Sequence, residues 1–87
     1  MKIGSSKKFD KMFSKAPSAI KSKFKEKIML LVLNRDDISL RRHKLSGKYQ
    51  NYLSIDITGD WRAVYIELEN GSLLFFVLFG THSQLYG

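Results

Sequence analysis

The chain has 87 residues, 44% hydrophobic and 26% charged, with no cysteine and a formal net charge of +7. That length holds one compact domain, expected over residues 1–87, with a core that is marginal but sufficient. The absence of cysteine excludes a disulfide framework and thiolate metal sites, and two histidines argue against a structural metal. In chain order, Lys2 to Ser6 reads as a short edge strand or a lead-in. From about Ser6 to Ala16, Phe9, Met12, Phe13 and Ala16 recur at the spacing of one helical face, with Lys7, Lys11 and Lys15 on another. Pro17 sits where a first helical residue belongs, so a second helix is predicted to begin there, with Ile20, Phe24, Ile28 and Leu31 as its core stripe and Asn34 at its C-terminal end. Two helices joined this closely are expected to form a hairpin.

Between Arg35 and Tyr49 the periodicity fades, and Arg41, Arg42, His43, Lys44, Ser46, Gly47 and Lys48 collect in what reads as a basic loop. Leu53, Ile55 and Ile57 then alternate with Tyr52, Ser54 and Asp56, the period of a half-buried strand. Thr58-Gly59-Asp60 turns the chain into a second strand, Trp61 to Leu68. Asn70-Gly71 predicts a hairpin, because both residues accept positive φ, and Leu73 to Phe79 returns as the third strand. The expected class is α+β: a small antiparallel sheet, with a three-strand C-terminal meander and a possible N-terminal edge strand, packed against the helix hairpin.

Charge is uneven along the chain. Residues 1–35 carry ten Lys/Arg against Asp10 and Glu26, a net +8, whereas residues 36–87 carry five against six acids, a net −1. Such a basic half suits a polyanion, through phosphate contacts and counterion release, or an acidic protein surface. The longest apolar runs, Ile28 to Leu33 and Leu73 to Phe79, are too short to span a bilayer, and no apolar signal segment opens the sequence, so a soluble cytoplasmic protein is expected.

The polar residues that propensity leaves unexplained are His43, Asp60, Arg62, His82 and Tyr86, with Lys44, Lys48 and Asp56 near them in the pattern. His43 and His82 suit an acid and base pair, since imidazole titrates near neutrality. Arg62 lies inside an aromatic and aliphatic strand, where a guanidinium needs either an acidic partner, Asp56 or Asp60, or a groove to face. Arginine's fixed fork also suits a phosphate whose charge grows in a transition state. Tyr86 could stack on a base or seal the core with Leu85.

The ordered set of helix hairpin, His43-Lys44-Leu45-Ser46-Gly47, the segment Ser54 to Tyr65 with Asp60-Trp61-Arg62, and Gly80-Thr81-His82-Ser83-Gln84-Leu85-Tyr86 resembles the RelE/YafQ-type toxins of the RelE/ParE superfamily over the whole chain. The resemblance implies a RelE-like fold and a cytoplasmic toxin of a toxin–antitoxin pair that enters the ribosomal A site and cleaves mRNA without a metal or other cofactor. It implies as partners mRNA, rRNA and a cognate antitoxin that neutralises the toxin and forms an oligomer with it, and no membrane. Residue by residue, His43 matches a His-x-Leu-x-Gly motif, Asp60-Trp61 an Asp-Trp pair, His82 a Gly-Thr-His ending, Tyr86 a catalytic or stacking aromatic, and Arg62 a strand arginine used on the scissile phosphate. Catalytic roles are therefore expected for His43, Asp60, Arg62, His82 and Tyr86, and RNA contacts for Arg41, Arg42, Lys44, Lys48 and Trp61. The chain departs from the pattern at Asp56, where YafQ-like members carry a second histidine, and at Leu78 and Phe79, where they carry an arginine. Two other activities fit the same fold: a ParE-like gyrase poison, and a catalytically weak member that only binds its antitoxin.

Overall fold

The computed structural model describes residues 1–86; Gly87, the last residue of the polar ending and of the expected 1–87 unit, lies outside the described residues. Strand β1 (Lys2–Ser5) leads into helices α1 (Lys7–Ser14) and α2 (Ser18–Leu33), followed by β2 (His43–Lys44), β3 (Leu53–Asp56), β4 (Trp61–Leu68), β5 (Leu73–Thr81) and helix α3 (His82–Tyr86). The strands form one sheet in the order β1-β5-β4-β3-β2. The α+β architecture and the three-strand meander are as the sequence predicts. The sheet is not purely antiparallel: β1 pairs in parallel with β5, Lys2 opposite Leu73 and Ser5 opposite Phe76, while the other pairings are antiparallel.

Local chemistry accounts for the helix ends. Ser6 caps α1 by accepting the Phe9 N–H on its hydroxyl at 3.0 Å. Pro17, expected inside α2, stands one residue outside it with ψ 149, and its carbonyl accepts the N–H groups of Ile20 and Lys21. The Lys-rich outer surface and the Phe-rich inner one separate as the spacing implies. Phe9 and Phe13 of α1 and Phe24 of α2 meet Phe76 and Phe79 of β5, with ring centroids 5.2 to 5.8 Å apart, mostly edge-on or tilted. Leu31, Leu40, Ile55, Ile57, Ala63, Tyr65 and Leu74 complete this core, each fully buried.

Two departures from the expected pattern decide which side chains face where. The segment 35–49 is not simply a loop: its His43 and Lys44 form the short edge strand β2 against Ser54 and Leu53 of β3. In β5, the register slips by one residue, so that Val64 opposes Leu78 but Tyr65 opposes Phe76, leaving Val77 as the extra residue of a bulge. The bulge changes the alternation, so that Phe76 and Phe79, three residues apart, both face the helices. The Val77 carbonyl accepts the Ser6 hydroxyl at 3.3 Å. At the other end, β4 and β5 are joined through Glu69, Asn70 and Gly71, all with positive φ, so the Asn-Gly signal marks a four-residue connection rather than a two-residue one.

The polar ending is helical from His82 onward. Thr81 and Gln84 form a reciprocal capping box: the Gln84 N–H donates to the Thr81 hydroxyl at 3.3 Å, and the Thr81 N–H donates to Gln84 Oε1 at 2.8 Å. Gly80 permits this reversal because a Cβ there would come within 2.7 Å of Gln84 Oε1 and 3.5 Å of Leu85 Cδ2. α3 thus lies over the sheet face opposite to α1 and α2.

Replacing Phe9 with Ala is expected to remove about 3–5 kcal/mol of stability, read as a lower denaturant midpoint at unchanged slope; a loss below about 1 kcal/mol would contradict the central role of this ring. Gly80→Ala should leave that midpoint nearly unchanged but speed amide exchange across His82–Tyr86, whereas unaltered exchange would show that α3 docks without the close approach.

Candidate active site

The face of the sheet turned away from the helix hairpin is built by simple alternation. Where Ala63 and Tyr65 face the core, Arg62 and Val64 face the other way; Ser54 and Asp56 of β3 and Leu78 and Gly80 of β5 align with them by register. His43 of β2 opposes Ser54. With α3 lying across this face, a cleft of about 360 Å³ forms, lined by Arg41, His43, Asp56, Gly59, Arg62, His82 and Tyr86.

Each member is held by a definable contact. Arg41 ends a short 3-10 turn (Ile38–Leu40) in the left-handed region at φ 48, which aims its carbonyl at His43 Nδ1, 3.0 Å away. A carbonyl only accepts, so Nδ1 carries the proton, and in the neutral ring Nε2 keeps its lone pair. Arg62 Nε lies 3.0 Å from Asp56 Oδ1, and its Nη1 donates to the carbonyls of Thr58, Gly59 and Trp61. The partner that an arginine in this strand requires is therefore Asp56, and the guanidinium also pins the β3–β4 turn. Arg41 Nε stands 3.7 Å from Asp56 Oδ2, so one carboxylate is flanked by two cations. On α3, the His82 N–H donates to the Asp60 carbonyl at 2.9 Å, the His82 and Tyr86 rings lie 4.9 Å apart at 57°, and the Tyr86 hydroxyl donates to the buried Ser54 hydroxyl at 3.3 Å.

The structure brings together His43, Arg62, His82, Tyr86 and Arg41, keeps Asp60 beside them through its backbone, and directs Arg42, Lys44, Lys48 and Trp61 elsewhere. Trp61, expected to contact RNA, lies on the helix side, its ring 5.7 Å from Phe79, because it shares the phase of Ala63 and Tyr65. Lys44, one residue out of phase with His43, borders Glu67, Gln50 and Asn51 instead of the cleft. Lys48 extends over the Tyr49 ring at 5.3 Å. Arg42 is occupied structurally: its Nε donates to the Arg35 carbonyl at 3.0 Å and its Nη2 pairs with Asp36 at 3.1 Å, while Arg35 itself bonds Glu67 at 2.7 Å. In the same segment the Ser39 hydroxyl and N–H hold the Asp37 carboxyl below the usual carboxylate range. Asp60 supports the site through its carbonyl, with its side chain exposed on the turn.

Sequence reading did not assign Asp56 and Ser54 to the site, although both sit at positions of β3 that alternate away from Leu53, Ile55 and Ile57. The Thr81-x-x-Gln84 capping box was likewise a readable signal for α3. Among the described residues, no group of three or more His, Asp or Glu side chains is arranged to hold a metal ion, and no helix is long and apolar enough to cross a membrane.

The fold agrees with that of solved relatives of this chain. YafQ from Escherichia coli strain BL21(DE3) superposes with a TM-score of 0.82 at 27% identity, covering 98% of this chain and 97% of that one. YafQ in an E. coli DinJ–YafQ complex gives 0.79 at 28% identity, covering 98% and 97%. A YoeB/ParE toxin from Agrobacterium tumefaciens shares the fold, with a TM-score of 0.79 at 19% identity over 94% of this chain and 99% of that one. No curated protein sequence matches the chain. The family model described as the bacterial toxin of a type II toxin–antitoxin system, YafQ, matches residues 1–87. The chain belongs to the YafQ family of type II toxin–antitoxin toxins.

Proposed function

We propose that the cleft cleaves messenger RNA at the ribosome, in the cytoplasm, and that a cognate antitoxin silences it. The observation that carries this reading is the convergence of two histidines, 39 positions apart in sequence, on one cleft that also holds two arginines. A basic helix hairpin on the same small molecule favours a polyanionic partner, and the solved DinJ–YafQ complexes of the E. coli relative support a protein antitoxin.

The chemistry is transesterification through the RNA's own 2′-hydroxyl, run by side-chain acid–base catalysis. His43, with Nδ1 committed to the Arg41 carbonyl, offers Nε2 as the base that takes the 2′-hydroxyl proton. The 2′-oxygen attacks phosphorus, the bond from phosphorus to the 5′-oxygen breaks, and a 2′,3′-cyclic phosphate forms. His82, from the opposite wall, protonates the departing 5′-oxygen. Arg62 is held by Nε and Nη1, which leaves Nη2 to meet charge growing on the phosphorane, with Arg41 as the second cation. Tyr86, tilted against the His82 ring and tied to Ser54, orients that imidazole and presents an aromatic surface for a base.

Brief expression followed by mapping of mRNA ends is expected to give cuts phased with codons; intact mRNA accompanied by gyrase-linked DNA breaks would overturn the nuclease in favour of a gyrase poison. In a ribosome-programmed cleavage assay, His43→Gln and His82→Ala should each lower the rate by about 10²–10⁴. A base must be unprotonated and an acid protonated, so loss of His43 should flatten the low-pH limb of the rate profile and loss of His82 the high-pH limb. Profiles with both limbs intact would exclude the pair from proton transfer.

A further inference from the structure

Asp56 is the anomaly of the cleft: a carboxylate facing the space meant for a phosphate. It is partly buried, with 15% of its side chain exposed, and so is its partner Arg62 at 16%. Its two oxygens are divided between two cations, Oδ1 to Arg62 Nε at 3.0 Å and Oδ2 to Arg41 Nε at 3.7 Å. Arg41 is otherwise a free-standing side chain, 77% exposed, on a residue whose carbonyl orients His43. Asp56 therefore links β4 to the turn that orients the proposed base, through a chain of contacts from Arg62 to Asp56 to Arg41 to His43. The same negative charge cancels part of the field of the two arginines, so a phosphate in its ground state meets a cleft less positive than the cation count suggests.

The geometry points to Asp56 as a positioning residue that fixes Arg62 in the cleft, draws the exposed Arg41 toward it, and weakens the hold of the cleft on a ground-state phosphate. The inference rests on the reading of the cleft as a phosphate site. Arginines held by a fixed acid are preorganised, and their full effect is drawn only when the phosphate gains charge in the transition state. An acid with a merely architectural role would have a different signature, since its loss would loosen the site and weaken binding and turnover together.

The test uses Asp56→Asn, which keeps shape and removes charge, and Asp56→Glu, which keeps charge. Adenosine 3′-monophosphate is titrated into each protein while the ring protons of His43 and His82 report binding by NMR, and the Arg62 Nε–H exchange rate reports positioning. Removing one nearby negative charge should tighten the nucleotide about 5- to 10-fold and accelerate Arg62 Nε–H exchange, while single-turnover RNA cleavage falls about 10-fold or more; Asp56→Glu should return the affinity toward that of the wild type. Unchanged ring signals without nucleotide and an unchanged thermal midpoint establish that Asp56→Asn folds. Equal or weaker nucleotide binding by Asp56→Asn overturns the inference, as does unaltered Arg62 exchange. If the wild-type protein binds the nucleotide in the cleft but cleaves no ribosome-bound mRNA, the nuclease reading fails while tighter binding by Asp56→Asn still upholds the assignment of Asp56.

Discussion

The architecture depends on a sheet that buries one face under the helix hairpin and leaves the other to form a polar cleft. The constraint is set by five phenylalanine rings, Phe9, Phe13, Phe24, Phe76 and Phe79, which draw two helices onto one side of β5. Aromatic burial of this size is non-directional in its driving force but selective in its ring geometry. Once that side is closed, period-two alternation obliges Ser54, Asp56, Arg62 and Val64 to project from the other, so the cleft is the complement of the core. Polar groups on strands held this firmly keep their mutual geometry better than groups on loops would.

How much of this could be read from the sequence follows from where the controlling forces are local. The alternation of Leu53, Ile55 and Ile57 and the aromatic run from Trp61 to Leu68 are written residue by residue, and the strands form there. The parallel pairing of β1 depends on where the chain returns after more than sixty residues, and two residues of β2 are too few for any period to show. Trp61 illustrates a subtler effect. Its neighbour Arg62 reads as functional, and motif logic couples the two, but adjacent residues on a strand face opposite ways, so the pair is split between core and cleft. Arg42 and Lys44 lie outside the cleft for the related reason that adjacency to His43 in sequence does not set the direction of a side chain. His43 and His82 are legible as a chemical pair in their residue type and their motifs; that they line one cleft depends on the turn at Gly80 and on α3 folding back.

The charge distribution gains meaning from the same division. The nine lysines of residues 1–35 lie on or beside the helix hairpin and β1, on elements that back the sheet, whereas the cleft holds two arginines and one carboxylate at close range. Diffuse positive charge and closely paired charge thus occupy different surfaces. Diffuse lysine charge in high dielectric raises encounter rates and fades with salt. Arg62, partly buried and bonded to backbone carbonyls, is screened much less.

The bulge at Val77 makes the reading frame of β5 a property of the fold, in the sense that one uncounted residue separates two opposite assignments of inside and outside. Deleting Val77 would turn the pairing into a regular ladder, with Phe76 and Phe79 still toward the helices and Leu78 and Gly80 still toward the other face. The bulge is therefore a point at which β5 can shed a residue without exchanging its two faces, whereas the loss of a residue from an unbulged stretch would invert every side chain beyond it.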